Sequence, residues 1–379
     1  MKASILQFKE GKWFPHPERQ TEEPFKGELV LCFASKSMLQ TPGIFEIVRG
    51  KFPSSEIALC STAGEIFHNI VQDNSFVAVV LHFEKTVLRT ASVNVAEFDN
   101  SYEAAVSLVK KLPSRNLSYI LVLSDGSMVN GSELVKGLND AASNKILITG
   151  GLAGDGADFS FTLVGLNQTP GQGNIVAIGL YGEQIVVTHG SQGGWETFGP
   201  ERTVTRSAGN VLFEIDNKCA LEVYKRYLGP DADKLPGSAL LFPLSVIAPD
   251  AFHSIVRTIL SIDNENNSMT FAGDIPVGSK VRLMKANFDK LTLAASRAAQ
   301  HCISKEGVKP VFSLLVSCVG RKLILGSRTE EEVEAVQETL GNQTLLAGFY
   351  SYGEISPFNK GGNCQLHNQT MTITSFYEI

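Results

Sequence analysis

The feature that most constrains this 379-residue chain is a unit that occurs three times: an apolar strand, a polar loop, a helix with a start signal, a second strand and a glycine-bearing turn. The first copy has Leu29-Val-Leu-Cys-Phe33, then Thr41-Pro42 as helix N-cap and first residue, then Ile57-Ala-Leu-Cys60 and the turn Ser61-Thr-Ala-Gly-Glu-Ile66. The second has Tyr119-Ile-Leu-Val-Leu123, Asn130 with Glu133 as a capping pair, Ile146-Leu-Ile148 and the turn Thr149-Gly-Gly-Leu-Ala-Gly-Asp155. The third has Val311-Phe-Ser-Leu-Leu-Val316, Thr329-x-x-Glu332 opening a helix closed by Gly341, Leu345-Leu-Ala347 and the turn Gly348-Phe-Tyr-Ser-Tyr-Gly-Glu-Ile355. Duplication accounts for the pattern. With strand-like runs at 76–83, 174–179 and 184–189 and helical stretches at 101–112 and 288–302, the chain reads as α+β. The expected architecture is large mixed sheets flanked by helices, built from repeated strand-helix-strand units in two domains. The glycine-rich stretch 190–209 sets the expected boundary, giving domains 1–205 and 206–379.

Charge excludes one class of function. With 33 Lys+Arg against 39 Asp+Glu the net charge is −6, which offers no broad basic face for nucleic acid or an acidic membrane surface. Residues 1–12 carry Gln7, Lys9 and Glu10 and lack the apolar core of a secretory signal. No apolar run reaches the roughly 20 residues needed to cross a bilayer. The expectation is a cytoplasmic protein without membrane or nucleic-acid partners. Its six cysteines form no CxxC pair and its seven histidines never fall at helical spacing, so nothing local points to a metal.

Four strings carry a resemblance. Leu59-Cys-Ser-Thr-Ala-Gly-Glu-Ile66, Gly150-Gly-Leu-Ala-Gly-Asp155, Gly194-Trp-Glu-Thr-Phe-Gly-Pro200 with Val204-Thr-Arg-Ser-Ala-Gly-Asn210, and Phe349-Tyr-Ser-Tyr-Gly-Glu-Ile-Ser-Pro357 together resemble the FIST sensory family, with its N-terminal and C-terminal domains both present. The resemblance implies an intracellular sensor of a small ligand, with amino-acid-like compounds suggested. It also implies a separate signalling partner such as a histidine kinase or a cyclic-dinucleotide enzyme. Some family members are haem-binding nitric oxide sensors, which makes haem an alternative cofactor.

The glycine turns follow strands, where α/β sheets place ligands and where glycine lets backbone N–H groups approach closely. Each turn carries a carboxylate. The expected ligand site is therefore one pocket built from Ser61, Thr62, Gly64, Glu65, Gly151, Gly154, Asp155, Tyr352, Gly353, Glu354 and Ser356. Arg321, just beyond a strand, is either a fork for a ligand carboxylate or the partner of a glutamate such as Glu354. If haem binds, His189 before the loop Gly190-Ser-Gln-Gly-Gly-Trp195 is one axial candidate and His367 the other, the alternative for each being a hydrogen-bonded strand histidine. Catalysis is not expected. No Gly-x-Ser-x-Gly elbow is present, and 150–156 has neither Walker nor dinucleotide-loop spacing. A metabolic enzyme using the glycine turns and a pure interaction scaffold are the competing readings.

Overall fold

The apolar runs of the three repeats fold as strands buried on both faces, which is why they lack the alternation of a half-exposed strand. The computed structural model describes residues 1–379 apart from 17–24, 144, 236, 252, 305–307 and 360. The first repeat comprises β1 (Lys2–Lys9), β2 (Lys12–Pro15), β3 (Leu29–Ser35), α1 (Lys36–Leu39), α2 (Ile44–Lys51), β4 (Glu56–Thr62), β5 (Glu65–Phe67), β6 (Ile70–Gln72) and β7 (Phe76–His82). The second comprises β8 (Val87–Asn94), α3 (Ser101–Lys110), β9 (Leu117–Ser124), α4 (Gly131–Ala141), β10 (Leu147–Leu152), β11 (Val164–Leu166) and β12 (Asn174–Tyr181).

The third repeat opens with β13 (Ile185–Gln192) and is then interrupted by β14 (Glu196–Ala208), β15 (Val211–Ile215), β16 (Lys218–Cys219), α5 (Ala220–Leu228), β17 (Leu244–Ile247), β18 (Ile255–Arg257), β19 (Ile259–Asp263), β20 (Ser268–Phe271) and β21 (Lys280–Lys285). It resumes with α6 (Phe288–Cys302), β22 (Phe312–Cys318), α7 (Val319–Leu325), α8 (Thr329–Leu340), β23 (Leu345–Ser351), β24 (Gly353–Pro357), β25 (Cys364–His367) and β26 (Met371–Glu378).

The repeats share one topology. In each, two strands joined through a helix pair in parallel: β3 with β4, β9 with β10, β22 with β23. An antiparallel strand, β7, β12 or β26, flanks the first of them and pairs in turn with the strand that opens the repeat, β1, β8 or β13. The strand that follows each glycine turn leaves its own sheet. β5 of the first repeat pairs with β23 of the third, β24 of the third with β10 of the second, and β11 of the second with β4 of the first. Each repeat thus completes the sheet of another, and the exchange closes into a ring of three six-stranded sheets.

Side-chain alternation then decides what each sheet face meets. Leu31 and Phe33 of β3, Leu121 and Leu123 of β9, and Leu314 and Val316 of β22 point into one shared core between the sheets. Their neighbours Cys32, Val122 and Leu315 point outward to the helices of their own repeat. Burying each such large side chain contributes about 1.5–3 kcal/mol, so the ring holds only while all three sheets are present. The interrupting segment forms its own sheet of eight strands, with a separate core around Leu212, Tyr224, Met269 and Phe271. The architecture is therefore mixed α/β in two structural parts, the ring of repeats and the inserted sheet, whose first strand, β14, runs across the expected boundary at 205/206.

Two helix starts differ from expectation. α2 begins at Ile44 behind Gly43 at φ 78°, because Ile44 N–H first closes a turn onto the Thr41 carbonyl. Glu332 does not reach back to cap α8; it is buried and turned toward Arg321. At α4 the Asn130 side chain does accept from the Ser132 and Glu133 amides, but Glu133 itself accepts from Ser101 N–H.

Candidate functional site

The three glycine turns meet, but they meet by interlocking. Gly154 N–H donates to the Ser61 carbonyl and Gly156 N–H to that of Thr62. Ala63 N–H donates to the Tyr350 carbonyl and Tyr350 N–H to that of Gly64, while β10 aligns Gly151 opposite Glu354 and Leu152 opposite Gly353. No room is left between them: a Cβ on Gly154 would lie 2.9 Å from Ala63 N, and one on Gly353 2.9 Å from the Leu366 side chain. These glycines serve the close approach of one chain segment to another.

The carboxylates have structural partners as well. Glu65 takes a bond from the Thr62 hydroxyl and, through Oε2, from Ser75 N–H and Oγ at 3.0 and 2.7 Å. Glu354 repeats the wiring, with Ser351 Oγ at 2.8 Å and Thr370 N–H and Oγ1 at 3.1 and 2.8 Å. Burial outweighs these bonds and raises the carboxyls to about 7 in Glu65 and about 8 in Glu354. In Asp155 the balance is reversed. Burial disfavours its charge, but bonds from Lys36, Tyr352 and Ser160 prevail and hold the carboxyl at about 2. Ser61 Oγ accepts from Leu163 N–H, and the Ser356 carbonyl accepts from His367 Nε2 at 2.9 Å.

Arg321 is fully buried. Its Nε and Nη2 donate to Glu332 Oε2 at 2.9 and 2.6 Å, its Nη1 to the Gly193 carbonyl at 2.6 Å and its Nη2 to that of Leu291 at 2.9 Å. The glutamate it meets is Glu332, not Glu354, and the fork is spent inside the fold.

The open space lies beside the turns. A cleft of about 780 Å³ is bounded on one side by the loop 126–131 that leads into α4, by Leu152, Phe159, Ser160 and Tyr352, and by Cys318, Val319 and Gly320 where β22 gives way to α7. Its other wall is the inserted sheet, through Asn210, Thr258, Ile259, Leu260 and 271–273. Buried Asp125 fixes the loop, accepting from Ser127 and Met128 N–H at 2.7 and 2.6 Å and from Gly173 N–H at 3.0 Å. Of the expected site residues only Tyr352 lines this cleft, with Asp155 bonded behind its hydroxyl.

Two lining residues stand out. Thr258 and Asn368 are 5% and 1% exposed, and Thr258 Oγ1 and Asn368 Oδ1 have no hydrogen-bond partner among the described residues. A buried polar atom left unpaired costs free energy on the order of 1–3 kcal/mol, and both of these atoms lie beneath the cleft wall, closed off from the open space. Thr258 and Asn368 carry no sequence signal, and sequence reasoning missed the cleft's loop wall because it followed the turn after the second strand of each repeat. The signal available was the polar loop after the first strand, Asp125-Gly-Ser-Met-Val-Asn-Gly131, equally placed at a strand's carboxyl end.

The two histidines named as axial candidates lie within strands. His367 is buried on β25 opposite Glu354, its Nε2 bonded to the Ser356 carbonyl, and burial lowers it to about 4. His189 sits half-buried within β13 opposite Thr374, near enough to His367 to help lower that residue's pKa. Neither lines the cleft.

The FIST N domain family model matches residues 28–218 and the FIST C domain model matches residues 220–357. No curated protein matches the chain. Among solved structures the chain is similar to a cyanuric acid hydrolase from A. caulinodans, at 6% identity and a TM-score of 0.36, over 93% of this chain and 90% of that one. That likeness is too slight to bear on the site.

Proposed function

Since the chain belongs to the FIST family, with both of its domains matched, we propose that it is a small-ligand sensory protein of signal transduction that binds its signal in the cleft between the repeat ring and the inserted sheet. The observation that carries this reading is the cleft itself: both matched domains contribute to its walls. The inserted sheet is tied across the cleft by Asp274 N–H to Ser132 Oγ at 3.1 Å and by Arg257 Nη1 to the Leu366 carbonyl at 3.0 Å. A ligand touching both walls changes the spacing that these two bonds set, which gives occupancy a route to a partner's docking surface. The partner in this reading is a separate signalling protein such as a histidine kinase or a cyclic-dinucleotide enzyme.

Binding is favoured over catalysis by the state of the reactive groups nearby. Ser160 on the cleft wall accepts from Lys36 Nζ at 2.8 Å, an arrangement a hydrolase would use with a neutral lysine. Burial works against the Lys36 ammonium, but Asp155 and Asp158 outweigh it and raise its pKa, so it is a poor base. Cys318 on the wall is a thiol pushed up by burial, which blunts it as a nucleophile. We place the protein in the cytoplasm, a reading supported by six free cysteines, five of them buried. No helix among the described residues is long and apolar enough to cross a membrane.

A thermal-shift screen of amino acids and related metabolites tests the reading. A ligand at 100 times its Kd should raise stability by about 2.7 kcal/mol. Ala272→Phe, which fills the cleft wall, should abolish that shift. Turnover of a hit would favour an enzyme, and a shift that survives Ala272→Phe would place the site elsewhere.

A further inference from the structure

We propose that Phe159 is the aromatic surface the ligand covers and that Lys36, in another repeat, is the positioning residue that presents it. The inference rests on the cleft being the ligand site and goes on to say which side chain receives the ligand and what holds that side chain in place.

Segment 153–163 joins β10 to β11 as an irregular strap, and its residues Phe159 and Ser160 form part of the cleft wall. With no helix or strand of its own, the strap takes its position from side chains. Lys36 is the first residue of α1, and its ammonium has three protons to donate. They meet Asp155 Oδ2 at 2.7 Å, Ser160 Oγ at 2.8 Å and Asp158 Oδ2 at 3.2 Å. The same ammonium lies 4.5 Å from the centroid of the Phe161 ring. Asp155 extends the hold, accepting from Ser160 N–H at 3.0 Å, from Phe161 N–H at 3.1 Å and from the Tyr352 hydroxyl. Phe159 is thus bracketed: the residues on both sides of it are tied to one lysine of the first repeat, and its own N–H donates to Tyr352 OH of the third at 3.3 Å.

The bracket imposes a conformation that Phe159 would not adopt alone. Its φ is 49°, in the left-handed region that bulky side chains avoid. A residue stays there only where its surroundings over-determine it, and such residues gather at ligand clamps. Burial does not offset the strain, because Phe159 is 48% exposed. One face of its ring rests on Tyr352, with centroids 4.9 Å apart and planes at 19°, while the ring lines the cleft. Met128 and Leu260 of the wall are exposed as well, so the apolar surface continues beyond the ring. An aromatic ring held in a strained backbone and left open gains its remaining contacts when a molecule covers it. Lys36 does not line the cleft, so its action on the ligand runs through the strap.

The test titrates the full chain with N-phenyl-1-naphthylamine, an uncharged aromatic dye that fluoresces in apolar surroundings, and follows amide hydrogen exchange at 159–161 with and without it. The dye should bind, slow exchange at 159–161, and be lost in Ala272→Phe on the opposite wall. Phe159→Gly, which accepts this φ freely, should weaken the dye by about tenfold or more while the urea midpoint holds. Lys36→Met should weaken it by a similar factor and speed exchange at 159–161 by about tenfold, leaving β3 and β10 as protected as before, a split that a general loss of stability does not give. Asp158→Ala should act in the same direction but less, and Lys36→Met with Asp158→Ala should be no worse than Lys36→Met alone, because the two belong to one device. Dye binding that is lost in Ala272→Phe but indifferent to Phe159→Gly and Lys36→Met overturns the proposal and leaves the cleft as the site. Exchange in Lys36→Met that rises in β3 and β10 as much as in the strap overturns the positioning role. A dye that does not bind, or that still binds Ala272→Phe, removes the cleft reading and this proposal with it.

Discussion

Replacing Arg321 with methionine separates a structural guanidinium from a ligand clamp. The arginine is 0% exposed, and its loss leaves Glu332, also 0% exposed, with bonds only from Ser317 Oγ at 2.9 Å and Tyr350 OH at 2.7 Å. The Gly193 and Leu291 carbonyls would lose their donors at the same time. Breaking a buried ion pair from one side costs about 3–5 kcal/mol, because the remaining charge is stranded. Against a total stability on the order of 5–15 kcal/mol this is a large share. Urea unfolding followed by tryptophan fluorescence reads it directly, since Trp195 Nε1 donates to the same Gln369 carbonyl that Arg321 approaches. With a slope of about 3 kcal/mol per molar urea, the midpoint should fall by roughly 1 M or more. Arg321→Met combined with Glu332→Leu should recover most of the loss, because an apolar pair leaves no stranded charge. An unchanged midpoint in Arg321→Met, together with lost ligand affinity, would refute this reasoning and return the guanidinium to the binding site.

Two further outcomes are expected. Glu354 and Glu65 are raised from an ordinary 4.5 to about 8 and about 7, so the native state holds protons that the unfolded chain has released. Their contribution is complete below about pH 4.5 and is lost as pH rises through 7 and 8, so the urea midpoint should fall between pH 6.5 and 9 and fall less in Glu354→Gln. The depressed carboxyls of Asp155 and Glu378, both near 2, act only at the acid end, and a midpoint that climbs across this alkaline range would contradict the assignment. The half-buried Cys219 should react with a thiol reagent in the native protein while the five buried cysteines wait for denaturant; rapid native modification of more than one thiol would count against the buried cores.

The repeats were legible because they rest on local signals. A run such as Leu29-Val-Leu-Cys-Phe33, a cap such as Asn130 and a stop such as Gly341 act within a few residues, where hydrophobic periodicity and backbone preference decide the outcome. The convergence of the three turns followed from counting them, and the structure does bring them together. What fills the space between them was not legible. Whether Gly154 faces a ligand or the backbone of Ala63 depends on β5, β11 and β24 crossing into the neighbouring sheets, and those pairings join residues as distant as Phe67 and Ala347. The fate of Arg321 likewise turned on Glu332, eleven positions along but on another helix, and on two carbonyls from 193 and 291. The cleft is the extreme case: its walls come from 126–131, 258–273, 318–320 and 366–368, of which only the first, a polar loop at a strand's carboxyl end, carried a signal. Sequence alone determines which segments become strands and helices, because that choice is made by neighbours along the chain. Only the tertiary structure decides which polar atoms are left without partners, because that requires every long-range pairing to be in place first.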